Sequence, residues 1–414
     1  MSEFCLVRQP LFGASGALVG YDIRFRDAND GQHAFVQSYL SGTFDLVRAK
    51  LPAFVHCSRA QLLDDAFQIA DPTAAILVLP RSIEVDAPVV SAIMRYREQK
   101  GGIALGGLTM EPAPVEALYE YVDWVRIDAR AGGAEALRAV HARVVETAGA
   151  KRPRIVADHV ADAKLYEQAR ALKLDAFQGE FFSRPEPLPA TEFPQSTVAA
   201  MRLMGLARDP KVNDRQLEDV ISADPVLMFQ LLRLVNSAAV GLRGVSSIGQ
   251  ALRMVGRNAF LRWLSVAVAA SRKSSTGMDK ELVRQAVERG RMLEQLAGGE
   301  REAGTLFLVG MFSLLDAVFR MSLTDILERV VLSDEASQAL LDRTGPYANA
   351  LAFAESYELG LFEHSAELIA DMGLDPSRVG EFYAAAIEWT GEALGSVLDS
   401  QAATPARAAV GGHR

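Results

Sequence analysis

The stretch that decides the fold of the second half runs from Leu217 to Val268 and reads LEDVISADPVLMFQLLRLVNSAAVGLRGVSSIGQALRMVGRNAFLRWLSVAV. Asp224-Pro225 opens a helix within it, because aspartate caps a helix N-terminus and proline at the first helical position loses no hydrogen bond. Ser247 and Gln250 have the spacing of a capping box, and Gly256 ends the apolar periodicity that follows. The stretch therefore predicts consecutive packed helices that carry no metal ligand set, nucleophile–base pair or phosphate loop.

This part of the chain resembles the HDOD family, a helical domain related to the HD phosphohydrolases, over about Phe193 to Leu315. The resemblance implies a regulatory output or scaffold domain of bacterial signalling without enzymatic activity. The matching residues are Asp209-Pro210, Val220-Ile221, Asp224-Pro225, Asn236-Ser237, Gly241, Ser247-Ile248, Ala251-Leu252 and Val255-Gly256.

Length, charge and cysteine content narrow the class of protein. With 414 residues, half of them hydrophobic, the chain is long enough for two or three domains. A net charge of −9 disfavours a general nucleic-acid binder, which needs clustered lysine and arginine. No apolar run is long enough for a membrane span, and the first ten residues lack the features of a signal peptide. The chain has only two cysteines, which predicts no disulfide framework. We therefore expect a cytoplasmic protein with no nucleic-acid partner and no membrane span.

The first half alternates short apolar runs with amphipathic segments. A turn at residues 13–16 joins the first two runs, which predicts an antiparallel hairpin. Strands then alternate with helices, and eight strands favour a closed (β/α)8 barrel of the TIM type over an open sheet. The predicted strands are Cys5–Leu11, Leu18–Phe25, Ala53–His56, Ala75–Leu79, Ile103–Leu105, Trp124–Ile127, Arg154–Ala157 and Ala176–Gln178. The predicted helices between them are Phe35–Arg48, Pro88–Gln99, Pro114–Glu120, Ala134–Ala148 and Ala161–Leu172.

Four segments of this half resemble the EAL family, whose barrel hydrolyses cyclic di-GMP. The resemblance covers about Phe4 to Pro187 and implies a site at the C-terminal ends of the strands. The matching segments are Arg8-Gln9-Pro10, Gly20-Tyr21, Val125-Arg126-Ile127-Asp128 and the run FQGEFFSRP at residues 177–185.

The residues at the family's metal and catalytic positions depart from its pattern. The Glu-Ala-Leu signature corresponds to Asp22-Ile23-Arg24, and the paired aspartates correspond to Gly106 and Gly107, which offer no side-chain oxygen to a metal. Arg126 replaces the catalytic lysine and cannot act as a base at neutral pH. The other changed positions are His56 for an asparagine, Val78 for a glutamate and Asp158 for a late glutamate. We therefore predict no catalytic residue, no metal, no cofactor and no phosphodiesterase activity.

Metal sites are disfavoured in both halves. The HD relatives hold metals through a His-Asp pair, and Ser313 and Leu314 stand at those positions here. His56 and His159 could approach each other at the top of the barrel, but such histidines are more often hydrogen-bonded residues at the edge of a core.

Four residues are candidates for nucleotide binding: Gln9, Arg26, Asp128 and Gln178. Gln9, Arg26 and Gln178 fall at positions that resemble guanine- or phosphate-contacting residues of the EAL family. A guanidinium such as that of Arg26 can pair with a phosphate through two hydrogen bonds. The alternative is that these are inherited fold residues, with Gln9 and Gln178 simply closing the barrel.

The proline-rich segment at residues 183–194 predicts a stiff connector between two domains. We predict a degenerate EAL barrel at residues 1–189, an all-helical HDOD domain at residues 190–398 and a disordered tail at residues 399–414. The predicted function is a non-catalytic signalling regulator that acts through contacts with other signalling proteins, with a homodimer plausible from the resemblance. The alternative is a cyclic di-GMP receptor that does not hydrolyse its ligand and whose barrel controls the HDOD domain.

Overall fold

The computed structural model describes residues 5–26, 32–64, 66–148, 152–184, 212–222, 245–271, 276–328 and 332–398, with short pieces between 203 and 236 and residue 330. The chain forms two compact units. The larger comprises Met1–Thr191, Thr276–Glu328 and Leu332–Glu388, and the smaller comprises the remainder. The larger unit therefore contains helices from beyond the predicted boundary at residue 189.

The first half folds as a closed barrel of eight strands, as predicted. β1 pairs antiparallel with both β2 and β8, and the remaining neighbours are parallel. The strands are β1 Cys5–Gly13, β2 Leu18–Arg26, β3 Ala53–His56, β4 Ala75–Pro80, β5 Gly102–Leu108, β6 Trp124–Asp128, β7 Arg154–Asp158 and β8 Ala176–Gln178. Each predicted strand is present, and six of the eight continue by one to three residues at one or both ends, since backbone pairing extends beyond the apolar run.

Helices surround most of the barrel. They are α1 Gln32–Leu40, α2 Thr43–Arg48, α3 Arg59–Leu63, α4 Ala87–Glu98, α5 Gly133–Ala148 and α6 Ala163–Ala171. The single helix predicted over Phe35–Arg48 is wrong, because Gly42 adopts a left-handed conformation with φ 77° and separates α1 from α2. Pro114–Tyr121 forms a 3-10 helix rather than an α-helix.

The smaller unit contains the stretch from Leu217 to Val268. Its helices are α7 Asp214–Ser222 and α8 Ile248–Ser271. Ser247 caps α8 by accepting from the Gln250 amide at 3.1 Å, while the Gln250 side chain accepts from the preceding Ser246 amide. Gly256 interrupts the helix with φ 74°, as expected of a stop residue. The predicted cap Asp224-Pro225, Gly241, residues 185–194 of the connector and the tail lie outside the described residues.

Asn236 bonds to Val245, which lies shortly before the start of α8. Its side-chain amide donates to the Val245 carbonyl at 2.9 Å and to the Leu232 carbonyl at 2.8 Å. Its side-chain oxygen accepts from the Val245 amide at 2.9 Å. One asparagine therefore satisfies three backbone groups, two of them on the residue Val245.

The larger unit also contains α9 Gly277–Glu294, α10 Glu300–Phe312, α11 Leu315–Phe319, α12 Leu323–Leu327, α13 Asp334–Leu341, α14 Ala348–Glu358 and α15 Phe362–Asp371, and most of α16 Val379–Leu398. In the part of the second half that the structure describes, all regular elements are helices, as predicted. Among the described residues, no helix has the length and apolarity required to cross a membrane.

α9 and α14 pack on the hairpin of β1 and β2 because this part of the barrel has no helix of its own. The strands are joined by a tight turn, so their outer face needs cover from elsewhere. Tyr21 donates to Glu281 of α9 at 2.9 Å, and Arg8 pairs with Glu288 at 2.5 Å. Tyr357 of α14 donates to the Leu6 carbonyl at 2.8 Å. The barrel and the later helices therefore share one core.

Candidate functional site

A buried ion-pair cluster fills the barrel interior where a site was expected. Arg126 on β6 donates to Asp158 on β7 at 2.7 and 2.9 Å and to Asp22 on β2 at 2.7 Å. The side chains of Arg126 and Asp22 are 1% and 0% exposed. Since Arg126 divides its donors between two strands, it ties opposite parts of the barrel wall together.

The cluster keeps its charges despite its burial. Burial alone would raise the pKa of Asp22, but Arg126 and His56 hold that pKa well below its usual range. Burial disfavours the Arg126 cation, and Asp158 and Asp22 outweigh this effect and raise its pKa. The half-exposed His56 lies 3.1 Å from Asp22. Arg126 is therefore a fixed cation between two carboxylates.

In the EAL family, which the sequence resembles, two divalent cations would be expected at this end of the barrel. The residues present here do not fit a pair of cations. Hydrogen bonds from Arg126 already occupy both carboxylates, those of Asp22 and Asp158. Val78 belongs to the buried core of the barrel, and a Cβ added at Gly106 would stand 2.8 Å from a Val78 methyl group. Within the described residues, no three His, Cys, Asp or Glu side chains are grouped to hold a metal. The side chains at this end of the barrel are therefore a poor fit for a pair of divalent cations.

Beside the cluster lies a cleft of about 790 Å³ between the barrel and the helices of the same unit. Its barrel wall is basic, with Arg24, Arg130, His159 and Arg184 among its residues, and its helical wall is mainly acidic, with Glu281, Glu288, Asp316, Glu355 and Glu358. A cleft with these opposed walls suits a ligand that combines anionic groups with hydrogen-bond donors.

Gln9 and Gln178 come together at the barrel wall of the cleft. Gln178 donates to the side-chain oxygen of Gln9 at 2.5 Å and accepts from the His159 amide at 3.2 Å. Gly179 follows with φ 147°, and a Cβ there would stand 2.2 Å from the Val160 carbonyl oxygen. Only glycine permits the chain to pass this close, which fixes the position of Gln178.

The other two predicted contacts lie outside the lining of the cleft. Arg26 is 3.5 Å from Glu363, and Asp128 pairs with Arg130 at 2.7 Å. Arg130 itself lines the cleft and is two-thirds exposed. Arg24, Arg130 and Arg184 were missed as site residues because their positions depend on how the strand ends converge.

Ser313, at the expected HD position, lies on the helical wall of the cleft. Arg289 donates to the Ser313 hydroxyl at 2.7 Å and to Glu358 at 2.9 and 2.6 Å. Leu314 is buried. A buried arginine, Arg289, therefore lies beside Ser313 in the helices, as Arg126 lies beside Asp22 and Asp158 in the barrel.

The sequence matches the HDOD domain family over residues 193–341, so the predicted HDOD domain is confirmed. A Vibrio cholerae protein named cyclic di-GMP phosphodiesterase CdgJ is 28% identical over 406 residues, covering 93% of this chain and 92% of its own. The uncharacterized Bacillus subtilis protein YuxH is 24% identical over 404 residues, covering 93% of this chain and 97% of its own.

Solved structures of EAL domains are similar to the barrel. The Mycobacterium smegmatis DcpA EAL domain covers 42% of this chain and 90% of its own at 17% identity, with a TM-score of 0.36. The PaMucR phosphodiesterase in complex with c-di-GMP covers 45% of this chain and 92% of its own at 16% identity, with a TM-score of 0.35.

These comparisons contradict the prediction that the protein is not an enzyme. The Vibrio cholerae relative matches both halves of the chain and is named a phosphodiesterase. The prediction rested on single positions such as Gly106, Gly107 and Arg126, read against the pattern of one family. Substitutions at individual ligand positions do not establish that an enzyme is inactive, because activity depends on all the residues of the site together.

Proposed function

We propose that this protein acts in cyclic di-GMP signalling and binds the dinucleotide in the cleft between the barrel and the helices. The observation that carries the proposal is the convergence of guanidinium groups and the Gln9–Gln178 pair at the C-terminal ends of the strands. That end is where (β/α)8 barrels place their sites. The relationship to the Vibrio cholerae protein over both halves supports the choice of ligand.

The guanidinium groups of the barrel wall are suited to phosphodiester anions. Arg24 lies 3.2 Å from Asp22, but its side chain is 27% exposed and lines the cleft, so its guanidinium can also reach an anion there. Arg130 pairs with Asp128, but its side chain is largely exposed to solvent. Arginine pairs with phosphate oxygens through charge-assisted hydrogen bonds, which are stronger than neutral ones. These two residues are therefore the proposed phosphate contacts.

The amide side chains of Gln9 and Gln178 are suited to a base edge. Each amide carries a donor and an acceptor, which is the combination that a guanine edge presents. Arg26 and Asp128 stay proposed contacts at the rim of the same barrel end, where they would act after leaving their present partners.

Signal output through other signalling proteins is the second part of the proposal. The HDOD domain spans helices of both compact units, and α9 touches the barrel hairpin directly. A ligand in the cleft would shift the protein between arrangements only if it binds them with different affinity. Contacts with α9 and α14 provide such a difference. Homodimerisation stays a prediction.

Calorimetric titration of the full chain with cyclic di-GMP, with and without Mg²⁺, tests the binding. We expect saturable binding that Arg24→Gln weakens about tenfold, since a charge-assisted hydrogen bond is lost. Arg138→Gln removes an exposed charge from α5 and serves as the matched control, which should bind like the wild type. Chromatography of the same samples reports whether the dinucleotide is hydrolysed. Absence of binding by the wild type, with and without Mg²⁺, would refute the proposal.

A further inference from the structure

The segment from Glu358 to Glu363, here called the 358–363 segment, joins α14 to α15 at the edge of the cleft. α14 ends at Glu358, and Gly360 turns the chain with φ 77°. The turn is closed by the Gly360 amide on the Tyr357 carbonyl at 2.8 Å and by the Leu361 amide on the Ser356 carbonyl at 2.9 Å. Tyr357 anchors it to β1 through the Leu6 carbonyl.

This segment contacts two barrel side chains, Gln9 and Arg26, and passes close to a third, Arg24, near the proposed nucleotide site. The Gln9 amide donates to the Glu358 carbonyl at 2.9 Å, while its oxygen accepts from Gln178. Glu363 lies 3.5 Å from Arg26. A Cβ added at Gly360 would stand 3.4 Å from Cδ of Arg24. The hydrogen-bonding groups of Gln9 are therefore occupied by protein partners.

We propose that the 358–363 segment is an intramolecular competitor of the nucleotide, which must release Gln9 and Arg26 before these side chains can contact a ligand. This inference rests on the proposed function, since it names a regulation of the same cleft. The helical half would in this way set the affinity of the barrel.

The contacts of the segment are strong enough to compete and weak enough to be displaced. The Arg26 and Glu363 side chains are 39% and 79% exposed, so solvent screens their attraction. The Gln9 bond is a single neutral hydrogen bond at a partly buried site. Leu359 and Leu361 flank Gly360 and are 37% and 50% exposed, so little apolar packing holds the turn in place.

Release of the segment would affect the packing of the helices through Glu358. Its carboxylate accepts from Gln285 at 2.6 Å and from Arg289, and Arg289 in turn donates to Ser313. Displacing the Glu358 backbone therefore disturbs an ion pair on α9. A partner that draws the segment away from the barrel would raise the affinity for the nucleotide. By linkage, the nucleotide would raise the affinity for that partner by the same factor.

Glu363→Gln in the full chain is the first test, with Glu367→Gln as its matched control. Both variants remove one negative charge from α15, but Glu367 lies beside His364 rather than Arg26. We expect Glu363→Gln to bind cyclic di-GMP about two- to fivefold more tightly than the wild type, in line with the loss of an exposed ion pair. Glu367→Gln should bind like the wild type.

Equal affinities for the two variants, or weaker binding by Glu363→Gln, would overturn the competitor while leaving cyclic di-GMP binding intact. Absence of binding by the wild type would instead refute the proposed function.

Hydrogen exchange provides a second readout that does not depend on a variant. The competitor predicts faster exchange of the Gly360 and Leu361 amides at saturating cyclic di-GMP, because release loosens the turn. Unchanged or slower exchange of these amides in a protein that binds the dinucleotide would overturn the inference.

Discussion

Arg126 and Asp22 form an ion pair of 2.7 Å inside the barrel, although 104 residues separate them in the sequence. Asp158 accepts the remaining donors of the same guanidinium. The resemblance implies metal ions at this position. Here the Arg126 guanidinium binds the two carboxylates instead. Arg24, 3.2 Å from Asp22, supplies a second cation, so the two carboxylates face two arginines without any ligand.

Replacement of Arg126 by methionine should destabilise the barrel strongly. The change leaves Asp22 and Asp158 buried without their partner, and removing one member of a buried pair costs about 3–5 kcal/mol. Urea unfolding followed by circular dichroism measures the loss. Arg130→Met, at a largely exposed ion pair, should cost less than about 1 kcal/mol. Similar midpoints for the two variants would contradict the structural role assigned to Arg126.

Glu288 should make stability fall as pH rises toward neutrality. Burial raises its pKa to about 7, against the opposing effect of Arg8, so the folded protein retains a proton that the unfolded chain loses above about pH 4.5. This contribution is fully present below pH 4.5 and is lost as pH rises through 7. Unfolding midpoints of wild type and Glu288→Gln, compared between pH 5 and 8, measure it. A difference between the two proteins that is independent of pH would contradict the assignment.

Gly106→Asp, which adds a carboxylate where the resemblance to the EAL family implies one, should destabilise the protein. The new Cβ would stand 2.8 Å from a Val78 methyl group in the barrel core, and overpacking typically costs about 1–3 kcal/mol. Val78→Ala in the same chain should recover part of that loss. Gly391→Asp on exposed helix α16, where an added Cβ meets nothing within 4 Å, is the control and should change stability little. The idea fails if Gly106→Asp unfolds at the wild-type midpoint.

Asn236→Ala should weaken the attachment of Val245, which precedes α8 in the smaller unit. It removes three hydrogen bonds to backbone groups and leaves the partly buried Val245 amide and carbonyl without that partner, a loss of about 2 kcal/mol. Limited proteolysis should cut the variant faster than the wild type near residue 245. Asn213→Ala removes a capping side chain at an exposed site and is the control. Equal cleavage near residue 245 in both variants would count against this role.

Local patterns predicted the barrel well. The turn at residues 13–16 and the alternation of apolar runs with amphipathic segments located all eight strands and the antiparallel hairpin. Ser247 caps α8 as its spacing predicted. The single helix predicted across Gly42 was wrong. A glycine inside an otherwise periodic run decides between one helix and two only through its backbone conformation, which the periodicity does not specify.

The contacts that define the site could not be predicted from the sequence. Arg8 lies 280 residues from Glu288, and Gln9 lies 349 residues from the carbonyl of Glu358. Such pairs depend on α9 and α14 covering the hairpin, which no local periodicity specifies. The sequence identified Gln9 and Gln178 as candidates, and only the folded chain shows that they bond to each other and line a cleft with Arg24 and Arg130.

The titration of the full-length protein with cyclic di-GMP tests the account most directly. We predict saturable binding, weakened about tenfold by Arg24→Gln and unaffected by Arg138→Gln, because a charge-assisted contact is lost only in the first variant. Wild-type protein that shows no heat of binding with or without Mg²⁺, or an Arg24→Gln variant that binds like Arg138→Gln, would contradict the assignment of this cleft as the nucleotide site.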